Sequence, residues 1–142
     1  MLLKIELENF FSIKNRVCLD FVAAKSNTKQ ARELSYNVID WNGTKVLKTI
    51  GLFGPNASGK SNILKAINFC CRMILESHQN NEGVVFNFMP FKFDGYDKKS
   101  SEFFIDFVCN KVEYEYSFAL TRTDIIRESL YYYPNGKRAK VF

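Results

Sequence analysis

The chain has 142 residues, one domain's worth of protein, with 46% hydrophobic, 25% charged and 15% aromatic residues. That balance excludes an intrinsically disordered chain, and no apolar run approaches the roughly 18 residues of a membrane-spanning helix. Twenty basic against fifteen acidic residues give a net charge of +5 and a pI near 9.0, which suits an anionic partner without requiring one.

Lys4, Glu6 and Glu8 break up the first ten residues and exclude a signal peptide. Cys18, Cys70, Cys71 and Cys109 form no CxxC pair, and His78 is the sole histidine, so no metal-ligand cluster can be assembled. Reduced thiols and a cytoplasmic location are the expectation, with no membrane partner.

Leu3, Ile5 and Leu7 alternate with Lys4, Glu6 and Glu8, the period-two pattern of a half-buried strand. Val17, Leu19 and Phe21 repeat the pattern, and the two runs read as an antiparallel pair. Residues 23–34 are polar and read as a surface loop. A third strand from Tyr36 to Trp41 meets Asn42-Gly43, a strong hairpin signal. The return strand runs from Thr44 through Val46 and Leu47 into Ile50-Gly51-Leu52-Phe53. Its last part no longer alternates, which predicts a strand buried on both faces of a parallel sheet.

A helix is predicted over about residues 60–77, with Ile63, Ile67, Cys70 and Ile74 on one stripe and Leu64, Cys71 and Leu75 beside it. His78 to Gly83 would end it, His78 serving the helix C-terminus. Residues 86–142 read as β-rich. Phe103–Cys109 and Val112–Leu120 flank Asn110-Lys111, and Ile125–Tyr133 runs into the turn Pro134-Asn135-Gly136. The chain is expected to stop while that hairpin is still closing.

Between the apolar strand and the helix stands Gly54-Pro55-Asn56-Ala57-Ser58-Gly59-Lys60-Ser61, which fits G-x-x-x-x-G-K-[ST]. The glycines admit backbone dihedrals that a Cβ forbids. Successive N–H groups from Asn56 to Lys60 can then turn inward as an anion nest at a helix N-terminus. Lys60 would reach the β- and γ-phosphates, and the Ser61 hydroxyl would be a Mg²⁺ ligand. The strand before and the helix after are the context this motif requires, so a nucleoside phosphate is the expected ligand.

Asn9-Phe10-Phe11-Ser12 and the loop continued to Asn62 resemble the ABC-like ATPase heads of the RecF, SMC and OLD group. Met89-Pro90-Phe91-Lys92-Phe93-Asp94, the strands after it and Ile126-Arg127-Glu128-Ser129-Leu130-Tyr131 narrow the likeness. They look like the N-terminal part of the AAA-type, ABC-like ATPases of bacterial restriction and phage-defence loci, the RloA-like group.

The resemblance implies an α/β P-loop NTPase fold: an ABC-like head lobe with a parallel P-loop strand plus antiparallel hairpins, and an incomplete domain spanning 1–142. It implies ATP and Mg²⁺ as ligands, held by Gly54, Asn56, Ala57, Ser58, Gly59, Lys60, Ser61 and Asn62. It also implies that Asn9 to Lys14 lies near the nucleotide. Phe11 stands where relatives carry a basic residue and could stack on adenine or pack in the core, while Lys14 is the nearest basic substitute or a turn lysine. A second head in a homodimer, an effector or nuclease, and nucleic acid are the partners it implies.

Such heads hydrolyse ATP with a Walker B carboxylate pair and a signature loop, and neither occurs in this sequence. Asp106 in Phe103-Phe104-Ile105-Asp106 is the nearest imitation, but it alternates onto the polar side of its strand. Binding without hydrolysis is therefore expected. A non-hydrolysing nucleotide-binding or interaction module, and a small P-loop NTPase using Asp106, are the alternatives. Asn110-Lys111-Val112-Glu113 imitates a guanine-reading motif from within a tight turn, and the tail Lys137-Arg138-Ala139-Lys140 behind Tyr131-Tyr132-Tyr133 imitates a nucleic-acid-binding patch.

Overall fold

The computed structural model describes residues 1–26, 28–76 and 85–142. Six strands form one antiparallel sheet in the order β2-β1-β5-β6-β7-β8. These are β1 (Leu2–Glu8), β2 (Val17–Asp20), β5 (Ser101–Cys109), β6 (Val112–Leu120), β7 (Ile125–Tyr132) and β8 (Ala139–Lys140). A separate hairpin joins β3 (Val38–Trp41) to β4 (Thr44–Leu47), and α1 (Lys29–Glu33) and α2 (Lys60–Glu76) complete the regular elements.

Sequence alternation sets the register. Ile5 sits opposite Ile105, and Ile105 opposite Tyr116, so one face of the sheet is apolar from strand to strand. That face packs against Ala66, Cys70 and Met73 of α2, with Phe10 at the centre of an aromatic cluster. The Phe10 ring stacks 5.8 Å from Phe88, meets Phe103 edge-on at 5.5 Å, and lies 6.0 Å from Phe69 of the helix. Burial of that many aromatic faces is the main stabilising term of the domain. On the other face the β3–β4 hairpin covers Leu3 and Val108 with Val46 and Trp41.

The turns match their residues. Asn42 and Gly43 take φ values of 50° and 81°, and Asn110 and Lys111 take 50° and 65°. Both are left-handed pairs of the kind that follows the twist of a two-residue hairpin. Short β8 closes the last hairpin through Tyr131–Lys140 and Tyr132–Ala139 pairing. Residues 23–34 are not all loop, because Lys29–Glu33 forms a helical turn with a Lys29–Glu33 ion pair at 4.0 Å.

Two expectations need correction. Residues 50–53 carry no strand, and among the described residues no parallel strand pair exists. β4 ends at Leu47, and Phe53 is 94% exposed. A run of Ile, Leu and Phe is compatible with a doubly buried strand only if strands flank it, and none flanks it here. On α2 the buried stripe is Ala66, Cys70 and Met73, whereas Leu64, Cys71 and Leu75 face outward. The helix is apolar on two sides, so periodicity alone could not choose the buried one. His78 lies outside the described residues.

Candidate functional site

The loop 54–59 leads directly into the first turn of α2. Its backbone is left-handed at Ala57 (φ 63°) and Gly59 (φ 91°), and Gly54 also has positive φ, at 155°. A Cβ on Gly54 would come within 2.9 Å of Ser58 Oγ, and the positive φ itself favours glycine there. Ala57 holds the strained conformation with a side chain, a cost of about 1–2 kcal/mol that L-residues rarely meet outside turns and binding loops.

Among the described residues, the N–H groups of Asn56, Ala57 and Gly59 donate no backbone hydrogen bond. They stand just ahead of the positive end of a 17-residue helix. Unspent donors in a left-handed concavity at a helix N-terminus attract anions.

Lys60 lies inside this loop. Its Nζ donates to Pro55 O at 2.6 Å, to Gly54 O at 2.7 Å and to Ser58 Oγ at 3.3 Å. The ammonium is held by the carbonyls of its own loop, so an anion entering the loop exchanges dipole partners for a full negative charge. Ser61 follows on the exposed first turn of α2, where its hydroxyl makes no hydrogen bond to another described residue. Asn62 donates from Nδ2 to Ser12 Oγ at 2.7 Å.

The turn Asn9–Lys14 abuts the loop from the sheet side. Asn9 is 1% exposed with φ 58°. Its Nδ2 donates to the carbonyls of Tyr96 (2.9 Å), Lys99 (3.0 Å) and Ser100 (3.2 Å), and its Oδ1 accepts from Phe91 N–H at 2.8 Å. One amide thus ties the end of β1 to the 91–100 segment. Sequence reasoning placed Asn9 near the site without seeing this role, whose only signal was an Asn at the end of an alternating strand.

Phe11, also left-handed at φ 50°, packs its edge on Phe10 at 4.8 Å and carries the Lys65 ammonium 4.9 Å over its ring. Its N–H donates to Met89 O at 2.7 Å. Phe11 is therefore spent on the core and the helix. Lys14 is paired with Asp94 at 2.6 Å and lies 5.2 Å over the Tyr96 ring, an attachment that raises its pKa chiefly through the Asp94 hydrogen bond.

Asp106 is not brought to the loop. It stands on β5 between Lys4 and Glu115, on the face opposite the one that packs α2. Burial first, then the charges of Glu113 and Glu115, push its carboxyl up to about 6, and Oδ1 is buried without a hydrogen-bond partner. A carboxylate that holds Mg²⁺ needs the reverse environment.

Asn110 and Lys111 occupy the β5–β6 turn, at the end of the sheet away from Glu8 and the Asn9–Lys14 turn, with the nine residues of β5, about 30 Å, in between. In the tail, Arg138 is bound to Glu115 at 2.8 Å and stacked 3.6 Å over Tyr131, so the cation there is already neutralised.

Among the described residues, no helix is long and apolar enough to cross a membrane, and no group of three or more His, Cys, Asp or Glu could hold a metal by itself. No curated protein matches the chain. Residues 50–142 match a family described as "AAA domain, putative AbiEii toxin, Type IV TA system". That span is more than half of the chain and contains the 54–61 loop, all of α2 and strands β5 to β8. The chain belongs to this AAA-domain family, and its domain is of the ATP-binding, P-loop type.

Proposed function

We propose that residues 1–142 form the Mg-ATP-binding lobe of an ABC-like ATPase of the RecF, SMC and OLD kind. The observation that carries this reading is the left-handed loop 54–59 opening α2 with the Lys60 ammonium inside it. Gly54, Asn56, Ala57, Ser58 and Gly59 supply the backbone cradle, and Lys60 leaves its carbonyl partners for the β- and γ-phosphate oxygens. Asn62 holds the first turn of α2 through Ser12.

Mg²⁺ fits the donor set in one way. Ser61 offers a single neutral oxygen, so phosphate oxygens and water would supply the other ligands, which is how Mg²⁺ is usually held. When bound, the ion neutralises phosphate charge.

Hydrolysis needs further groups to organise the metal and the attacking water. Asp106 faces the other side of the sheet, so the reading is binding without turnover by this lobe alone. A second head would complete the site, and the setting in this reading, phage defence, restriction or DNA maintenance, rests on the resemblance of residues 89–94 and 126–131 to the RloA-like group. The interaction-module reading has one observation behind it: Phe53, Leu64 and Leu75 are exposed on and beside α2, an apolar surface of the sort that partners cover.

The test is Mg-dependent. Titration of a fluorescent ATP analogue should give an affinity that rises with Mg²⁺ in the wild type and loses most of that rise in Ser61→Ala, with no phosphate release in either. Equal Mg²⁺ dependence in both proteins would remove Ser61 from the metal, and turnover abolished by Asp106→Asn would make the chain a complete NTPase.

A further inference from the structure

The turn that follows β1 is pinned at both shoulders. Phe10 and Ile13 exchange two backbone hydrogen bonds, at 2.8 Å and 2.9 Å, and both side chains are buried. Between them Ser12 projects outward and is exposed. Its Oγ lies 3.2 Å from where a Cβ of Gly59 would stand, which places the hydroxyl beside the loop at the residue before Lys60.

The chemistry of that contact is specific. Asn62 Nδ2 donates to Ser12 Oγ at 2.7 Å, so Ser12 acts there as an acceptor. A hydroxyl has one proton to donate, and no described group takes it.

We propose that Ser12 is a phosphate ligand contributed from outside the loop. Its O–H donates to a phosphate oxygen of the bound nucleotide, while Asn62 fixes the hydroxyl's position. The proposal rests on the reading of 54–61 as the nucleotide loop and adds a donor that the G-x-x-x-x-G-K-S pattern does not contain. It also ties the β1–β2 turn, and through Asn9 the 91–100 segment, to occupancy of the site.

The experiment uses the whole chain and competition against a fluorescent ATP analogue, with ADP, pyrophosphate and adenosine as competitors. Ser12→Ala should weaken ADP and pyrophosphate about tenfold or more, the scale of a hydrogen bond to a charged acceptor, and leave adenosine unchanged. The apo melting temperature should not move. Asn62→Ala should weaken the same two ligands less, and the double variant no more than Ser12→Ala alone.

Wild-type affinities in Ser12→Ala, alongside lost binding in Lys60→Ala, would overturn the proposal and leave the loop reading intact. Equal weakening of adenosine and pyrophosphate would also overturn it, because the serine would then act by shaping the loop. Unchanged binding in both Ser12→Ala and Lys60→Ala would instead sink the loop reading.

Discussion

The sheet face under α2 and the segment 49–59 both adjoin the same helix, the first by packing and the second by sequence, yet they are stabilised in opposite ways. Under α2, Phe10, Phe69, Phe88, Phe103 and Phe118 interlock, and the six strands beneath pair in one continuous sheet. Residues 49–53 include Ile50, Leu52 and Phe53 but form no strand, and Phe53 is 94% exposed. The first region is held by burial. The second is held by its connection to α2 and by the Lys60 ammonium on its carbonyls. Structural stability and the candidate chemistry are therefore separable in this chain: the core can lose little without unfolding, and the loop can change much without the core responding.

Substitutions should expose that separation, beginning with the core. Phe10→Ala removes the ring at the centre of the cluster and should cost about 3–5 kcal/mol in urea unfolding, enough to threaten a domain of this size. A cost near zero would mean the aromatic cluster does not hold the sheet to the helix.

The polar face of the sheet should show a pH effect of intermediate size. The Asp106 carboxyl titrates near 6 when folded, above its ordinary 3.8. Its preference for the folded state is thus complete below about pH 4 and is lost as the pH rises through 6. Asp106→Asn should stabilise the chain by about 1 kcal/mol at pH 7.5, a figure reduced because the group is only half buried, and should change nothing at pH 4. Destabilisation at pH 7.5 would show that the charge has a partner in the fold. The smallest effect belongs to the unpaired segment: Phe53→Ser should leave the unfolding free energy within about 0.5 kcal/mol, measured the same way.

Much of this architecture was legible because its causes are local. Alternation over two to nine residues fixes which side of a strand is apolar, so β1, β5 and β6 could be read directly, and so could the polar side that carries Asp106. Asn42-Gly43 and Asn110-Lys111 mark their turns through residues that tolerate positive φ. The 54–61 pattern was legible for the same reason, since its spacing states a backbone geometry.

What depends on distant neighbours was not. Whether Ile50–Phe53 is a buried strand is decided by strands beside it, and which side of α2 is buried is decided by the sheet beneath. The four hydrogen bonds of the Asn9 amide reach 82 to 91 residues along the chain, and Ser12 meets Asn62 across fifty. No window of sequence contains both partners.

The central claim is that the loop around Lys60 binds nucleotide phosphate, and calorimetry of the whole chain with Mg-ATP addresses it most directly. Lys60→Ala removes the only side-chain cation inside the loop and should abolish most of the binding heat, with affinity falling at least tenfold and the unfolding free energy unchanged. Equal Mg-ATP affinity in the wild type and Lys60→Ala would contradict the account.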